Sequence, residues 1–396
     1  MERHPLGRRL VTLVFAAATL AALPLPAQQV TLVAGGDIEW SRIVKPPDVY
    51  LDPPGREEGD WIQVPYLNND ANRRFLGSEG YTLETPESHH VRAIQYGLDF
   101  DSPEDLARYP LERIAPVLRS ADIAFANLET PLSDRARHNG AFRTPTAFAD
   151  GLRWAGIDVV STANNHALDA EGDGLADTKE ALWRAGVGAV GTGMDLEDAR
   201  RPFIIERNGI RVGFLGYSQF VNGGASNFAQ PNRPGVAPLD PFLIEEDIRR
   251  LRDQVDYVVL SFHWNIENSQ ETHPKAREFA HRMVDAGADI ILGHHPHVPR
   301  GVETYKGKVI FYSFGNLIFG HNHTYWMDNY VARLTLEPER IRQVEILPVS
   351  GRGTALSQPY LLEGDEARAV LEDVQSRTRQ LDTTMEIQGD MGVIRP

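Results

Sequence analysis

The stretch ADIILGHHPHVPRG, Ala288 to Gly301, decides how this chain is read. Ile290, Ile291 and Leu292 form a short apolar run, and His294, His295 and His297 follow it at once. A run of this length between turn-forming residues reads as a strand buried on both faces, of the kind α/β proteins place in parallel sheets. The histidines then stand where that strand ends. In an extended segment His295 and His297, two apart, point the same way, and His294 points to the other side, a supporting or packing position.

The pattern recurs along the chain. VTLVAGGD runs out at Asp37, ADIAFANLE at Asn127 and Glu129, and IDVVSTANNH at Asn164, Asn165 and His166. VDYVVLSFHWN reaches His263, and KVIFYSFGN reaches Ser313 and Asn316. Helical patterns separate these runs. GDGLADTKEALWRAG stops near Gly186, and HPKAREFAHRMVDAG leads to Gly287, both good C-terminal stops. DPFLIEEDIRRLRDQ has Asp240 as N-cap and Pro241 in the first turn. Hairpins are expected at Asn208-Gly209 and Lys306-Gly307. Strands alternating with helices predict an α/β fold.

Two stretches depart from this alternation. Residues 41–108 are rich in Pro, Gly, Asp and Asn with weak periodicity, a loop-rich insertion long enough to serve as a lid. Residues 351–396 form a polar C-terminal extension with one helix expected in GDEARAVLEDVQSRTRQL. The main domain is placed at residues 28–350.

The formal net charge of -15 argues against nucleic acid as a partner, because phosphate contacts need Lys and Arg. Cysteine is absent, which removes disulfides, thiolate metal sites and a cysteine nucleophile. Any metal here must be held by His, Asp, Glu and Asn. At the N-terminus Arg3, Arg8 and Arg9 precede LVTLVFAAATLAALPLP, and LPAQQ offers a cleavage point after Ala27. Residues 1–27 read as a signal peptide, so the mature chain is expected in the periplasm or outside the cell. An uncleaved N-terminal anchor is the alternative.

In open α/β sheets, ligand sites form beyond the carboxyl ends of the strands. Each polar cluster taken singly has a bland account: a turn, a helix cap, a satisfied buried histidine. Their joint occurrence, each at a strand end, points to convergence of Asp37, Asn127, Glu129, Asn165, His166, His263, His295 and His297. Carboxylate, imidazole and amide oxygen suit Mn, Fe, Zn or Mg. Two carboxylates and several histidines could hold two divalent ions, a pair suited to activating water and clamping an in-line displacement.

With these motifs in hand, the chain resembles the CapA family of capsule proteins linked to poly-γ-glutamate, within the calcineurin-like metallophosphoesterases. The resemblance runs from about Val30 to about Pro348. It rests on Gly36-Asp37, ANLETPL at 126–132, STANNHALDAEGDGLADT at 161–178, His263-Trp264, GHHPHVPRGVE at 293–303 and YSFGNLIF at 312–319. It implies a four-layer α/β/β/α sandwich around a two-metal site. By this resemblance Asp37, Glu129, Asn165, His263, His295 and His297 are the metal ligands, with Glu129 bridging. His166 is the proton donor, oriented by Asp169. Asn127, Asn316 and Glu267 line the substrate side. There are departures. Glu39 stands where metallophosphatases of this kind carry a histidine, Asn265 stands where the family has glycine, and His321 and His323 are extra.

The resemblance implies an exported metal-dependent hydrolase of phosphoester or γ-glutamyl amide bonds, acting on an anionic polymer or a small phosphoester beside membrane partners of capsule synthesis. The alternative is a non-catalytic protein that uses the same cleft to bind or export the polymer. A structural module with a decayed site is a third reading. Arg143 or Arg300 could offset the acidic charge near the cleft.

Overall fold

The apolar runs fold as strands of two large sheets. The computed structural model describes residues 28–40, 102–134, 142–319, 327–351 and 358–396. Residues 1–27, read above as a signal peptide, residues 41–101, and His321 and His323 lie outside these. The strands are β1 (Val30–Glu39), β2 (Ile123–Leu128), β3 (Val159–Ser161), β4 (Gly188–Val190), β5 (Thr192–Gly193), β6 (Phe203–Arg207), β7 (Ile210–Ser218), β8 (Gly235–Val236) and β9 (Tyr257–His263). They continue with β10 (Ile290–His294), β11 (Val302–Tyr305), β12 (Lys308–Phe311), β13 (Asn316–Phe319), β14 (Asn329–Glu337), β15 (Arg340–Val349), β16 (Glu386–Gln388) and β17 (Met391–Ile394). The helices are α1 (Pro103–Arg108), α2 (Ala115–Arg119), α3 (Phe148–Trp154), α4 (Glu171–Ala185), α5 (Leu196–Ala199), α6 (Pro241–Arg252), α7 (Pro274–Asp285) and α8 (Gly364–Arg379).

One sheet runs β16-β17-β15-β14-β1-β2-β3-β4, with β13 also beside β1. The other runs β11-β12-β10-β9-β7-β6. The continuous apolar runs are its parallel members, β7, β9, β10 and β12, as β1 to β4 are in the first sheet. The two expected hairpins form, β6–β7 and β11–β12, with Asn208, Gly209, Lys306 and Gly307 all at positive φ. Asp240 caps α6 by accepting from the Phe242 and Leu243 amides, with Pro241 opening the helix.

Four layers follow from which faces are apolar. Phe125, Phe214, Val259, Leu292, Phe311 and Leu334 fill the space between the sheets. Phe125 and Phe214 stack across it with ring centroids 5.6 Å apart. Leu111, Leu118, Phe148, Leu152 and Leu182 cover the outer face of the first sheet, over Val33, Ala124 and Val160. Ile244, Ile248, Leu251, Ala280 and Met283 cover the second, over Val258, Leu260 and Ile291. Each fully buried Val, Leu, Ile, Phe or Met among them contributes about 1.5–3 kcal/mol. The α/β/β/α order expected from the resemblance is therefore the observed order.

Two segments differ from their sequence reading in detail. The end of the 41–108 stretch is α1, whose Leu106 and Ala107 join the outer core. The residues after 350 supply α8 and the β16–β17 hairpin. Ala367, Val370, Leu371 and Val374 pack into the core between the sheets, and β17 pairs with β15. This segment closes the sandwich.

Candidate metal centre

Strand parity delivers the site residues into the gap between the sheets. On β9, Val258, Leu260 and Phe262 face the helices, while Tyr257 and Val259 face inward. His263 continues the inward series. On β2, Ile123 and Phe125 face inward and Ala124 and Ala126 outward, so Asn127 turns inward. On β1 the parity would fail: Leu32 and Ala34 face inward, which would send Asp37 outward. The β1–β2 register shifts between Ala34 and Asp37, and this irregularity turns Asp37 to the inner side. Gly36 permits it, since a Cβ there would stand 1.9 Å from the Gly315 carbonyl oxygen.

Asp37 is fully buried. It accepts a 2.8 Å hydrogen bond from Asn127 Nδ2 and a 3.2 Å bond from the His295 amide. Asn127 is fully buried too, and Asn164 Nδ2 approaches its Oδ1 at 3.4 Å. Its amide thus braces Asp37 rather than facing an open cleft. Asn164 is itself tied to the Leu128 carbonyl at 2.8 Å.

The three opening histidines separate. β10 ends at His294, whose ring enters the core near Phe125 and Phe314, with Nδ1 3.3 Å from Asp37 Oδ1. His295 and His297 are not extended, contrary to the spacing argument. Their φ values are 94° and 57°, a left-handed conformation that costs a non-glycine residue energy and is met mainly at functional sites. They converge because the chain coils there. His297 Nδ1 lies 2.9 Å from Asn316 Oδ1, which fixes a proton on Nδ1 and leaves Nε2 as the lone-pair nitrogen, 3.9 Å from Glu129 Oε1.

Around His263 Nε2 stand Asn165 Oδ1 at 2.7 Å, His295 Nδ1 at 3.1 Å and Glu129 Oε1 at 3.6 Å. Donors each about 2.1 Å from a shared tetrahedral ion stand roughly 3.4 Å apart, so this spacing suits ligands of one ion. Potential ligand atoms of Asp37, Glu129 and His263, and those of Glu129, His295 and His297, form two groups each within 4.8 Å. Glu129 belongs to both. Its two carboxylate oxygens are buried without a hydrogen-bond partner, an expensive state for an anion unless a cation offsets it.

The electrostatics agree. Burial, then the charges of Asp37, Glu267, Glu39 and Asp169, push the Glu129 carboxyl well above its ordinary range. Burial also raises Asp37, but contacts with His294, His297 and Asn127 outweigh it, and the net direction is down. Burial and neighbouring imidazoles push His263 well below its usual value and His295 to about 3. His263, His295 and Asp37 are thereby held in the neutral and ionised forms that ligate, while Glu129 keeps its proton more readily until a cation offsets its charge. The donor set, its spacing and the orphaned Glu129 fit divalent-metal binding of the kind that oxygen and nitrogen donors support.

Beside this cluster His166 Nδ1 sits 2.7 Å from Asp169 Oδ2. A carboxylate only accepts, so Nδ1 carries the proton and Nε2 is the working nitrogen. Asp169 also accepts from the Phe142 amide at 3.0 Å, and the Phe142 ring lies 4.0 Å from the imidazole. The contact with His166 and these further bonds outweigh the effect of burial and lower the Asp169 pKa. Asn316 is buried behind His297, Glu39 is buried beside Asp37, and Glu267 is exposed on the loop after β9. Arg300 is committed elsewhere: its guanidinium donates to the Ser269 and Ile266 carbonyls and pins that loop. Arg143 is buried.

Four contacts carried no sequence signal. Asn222 donates to Asp169 Oδ1 at 3.3 Å, and its main-chain amide donates to the Asn165 carbonyl at 2.9 Å. Phe220 packs on His295 with centroids 4.9 Å apart, and Phe319 meets His297 edge-on at 4.9 Å. Asn222 and Phe220 sit in an irregular loop after β7, where neither periodicity nor spacing marks a role.

Comparison with known proteins gives a consistent result. The profile of the family described as "Bacterial capsule synthesis protein PGA_cap" matches residues 88–321. The "PGA biosynthesis protein CapA" of Bacillus subtilis (strain 168) is 32% identical over 60% of this chain and 63% of its own length. The "Capsule biosynthesis protein CapA" of Bacillus anthracis is 31% identical over 66% of this chain and 64% of its own. The aligned part of this chain thus spans less than two thirds of either relative. A crystal structure of the calcineurin-like phosphoesterase YfkN from Bacillus subtilis aligns over 90% of this chain and 98% of that one, at 14% identity and a TM-score of 0.40.

Proposed function

We propose, from the premise that this chain belongs to the bacterial capsule synthesis protein family PGA_cap, that it is an exported metal-dependent hydrolase serving the synthesis or processing of a poly-γ-glutamate type of polymer. The observation that carries this reading is Glu129, buried with both oxygens unpartnered at the junction of two ligand groups. The name of the Bacillus subtilis relative, "PGA biosynthesis protein CapA", points to the polymer. Residues 1–27 supply the export.

Asp37, Glu129, Asn165, His263, His295 and His297 would hold two divalent ions. Bound there, such ions lower the pKa of water and polarise a phosphoryl or carbonyl oxygen. The chain's own residues do the rest. Asn127 and Asn316 hold Asp37 and His297 in orientation. Asp169 fixes the tautomer of His166, so that the protonated ring offers its Nε2 proton to a leaving oxygen or nitrogen. Phe142 shields one face of that ring from water.

The test is elemental analysis of the purified mature protein and of the His295→Ala/His297→Ala double variant, with assays on bis(p-nitrophenyl) phosphate and on poly-γ-glutamate. About two metal equivalents in the wild type, lost in the variant, with turnover of either substrate, supports the hydrolase. Metal bound without turnover favours the non-catalytic polymer-binding reading. No metal after reconstitution overturns both. Export is tested by sequencing the N-terminus of the secreted protein, where a start at Gln28 supports it.

A further inference from the structure

Next to His166 and Asp169 lies a cleft of about 450 Å³, lined among others by Asp169, Glu171, Asn222, Ser226, Asn227 and Arg233. It shares a wall with the proton donor, because Asn222 both lines the cleft and bonds Asp169. The cleft is built. Asn227 Nδ2 donates to the Asn222 carbonyl at 2.6 Å. Gln230 and Arg233 exchange main-chain hydrogen bonds of 3.0 and 3.2 Å, which set the turn carrying Arg233.

Two opposite charges line this space without an ion-pair partner among the described residues. Arg233 forms no ion pair among the described residues, and its Nε is buried without a hydrogen-bond partner. Glu171 is exposed at the start of α4, at φ 58°, and pairs with no described residue, Arg233 included. Asp169, the other acid in the lining, is bonded to His166, Phe142 and Asn222. A lone anion would meet Arg233 but be repelled by Glu171, and a lone cation the reverse. A ligand with both charges on adjacent atoms satisfies both.

We propose that this cleft is a subsite for an α-amino-acid head group, its carboxylate taken by Arg233 and its nitrogen by Glu171. The proposal rests on the amide branch of the function proposed above and names its leaving side. When a γ-glutamyl bond is hydrolysed, the C–N bond breaks, the acyl carbon takes OH from water, and the nitrogen takes a proton from His166 Nε2. The second proton of the water restores the imidazolium. The departing fragment then carries an amine next to an α-carboxylate, the head group this cleft is charged to hold.

The test is calorimetric titration of the metal-loaded protein with glutamate and with γ-glutamylglutamate. N-acetylglutamate, isoglutamine (whose α-carboxylate is amidated) and inorganic phosphate serve as comparison ligands. Wild type is expected to bind glutamate about tenfold or more tightly than N-acetylglutamate or isoglutamine, the usual scale for losing a charged hydrogen bond. Arg233→Gln should bind glutamate and isoglutamine alike, and Glu171→Gln should bind glutamate and N-acetylglutamate alike. The wild-type comparisons need no variant, so a poorly folded variant leaves the question answerable. Glutamate binding unchanged in both variants would mean that it sits on the metals, and overturns the subsite. So do phosphate binding as tightly as glutamate, and no saturable binding at all. Turnover of bis(p-nitrophenyl) phosphate by wild type tests the metal centre separately, so either reading can fail alone.

Discussion

His263 and His294 stand opposite one another in the parallel register of β9 and β10, yet their rings part. His263 Nε2 faces Glu129 at 3.6 Å, whereas His294 turns Nδ1 toward Asp37 Oδ1 at 3.3 Å and packs near Phe125 and Phe314. On the proposed function the first ligates, while the second backs Asp37 and fills the core. Accordingly His263→Ala should lose at least one metal equivalent. His294→Ala should keep the metal but lose about 2–5 kcal/mol of stability, the range for truncating a large buried side chain. Metal analysis and chemical denaturation of the two variants would separate them; metal loss from both would contradict the division.

Glu129 has a cost as well as a use. Its two buried carboxyl oxygens have no hydrogen-bond partner. Glu129→Gln should therefore raise the melting temperature of the metal-free protein at pH 7 while weakening metal binding, because folding must either bury the Glu129 charge or protonate the carboxyl, and an amide needs neither. A lower melting temperature for the metal-free variant would mean that Glu129 is already compensated.

The His166–Asp169 pair predicts a leaving-group signature. His166→Ala should slow turnover by about 10²–10⁴-fold on esters with poor leaving groups, the usual contribution of a general acid. The loss should be much smaller on p-nitrophenyl esters, whose leaving group needs no proton. Asp169→Asn should show the same trend more weakly, with metal content intact. Equal losses on both substrate types would remove His166 from the role of proton donor.

Gly36 couples the fold to the site. Gly36→Ala places a Cβ against the Gly315 carbonyl, 1.9 Å away in the present geometry. Either β1 moves from β13 or the bulge is lost, and Asp37 turns with it. The expected result is a joint loss of stability and metal affinity, read by thermal melting and metal titration. Loss of neither would show that β1 can adjust freely.

Asp198 offers an acid-stability test outside the candidate metal site. Burial raises its pKa, but the Lys179 ammonium at 2.9 Å and the Met194 amide at 2.9 Å outweigh that and lower it. A carboxyl depressed in the folded state adds stability above its unfolded pKa of about 3.9 and loses it as pH falls through the lower folded value. Asp198→Asn should therefore melt below wild type at pH 7, and the gap should narrow as pH drops below about 4. A gap independent of pH would assign the loss to packing.

Much of the site was legible because it is local. Apolar runs ending in Asp, Asn, Glu or His mark strand ends directly, and His166 with Asp169 three residues on marks a pair. The histidine turn was legible for the wrong reason: extended spacing put His295 and His297 on one side, but it is two left-handed residues that bring them together. Residues 351–396 looked polar because α8 is heavily charged outside its Ala367, Val370, Leu371 and Val374 stripe. Only the packed structure shows that stripe buried between the sheets.

The sequence by itself determined the α/β alternation, the capped helices, the two hairpins and the oxygen and nitrogen donors waiting at the strand ends. These depend on periodicity and turn chemistry within a few residues. The tertiary structure decided that a bulge sends Asp37 inward, that Asn127 braces while His263 faces Glu129, that Arg300 holds a loop, and that Asn222 reaches the His166–Asp169 pair. Each of these is set by register and contact between segments distant in the chain, which no local pattern encodes.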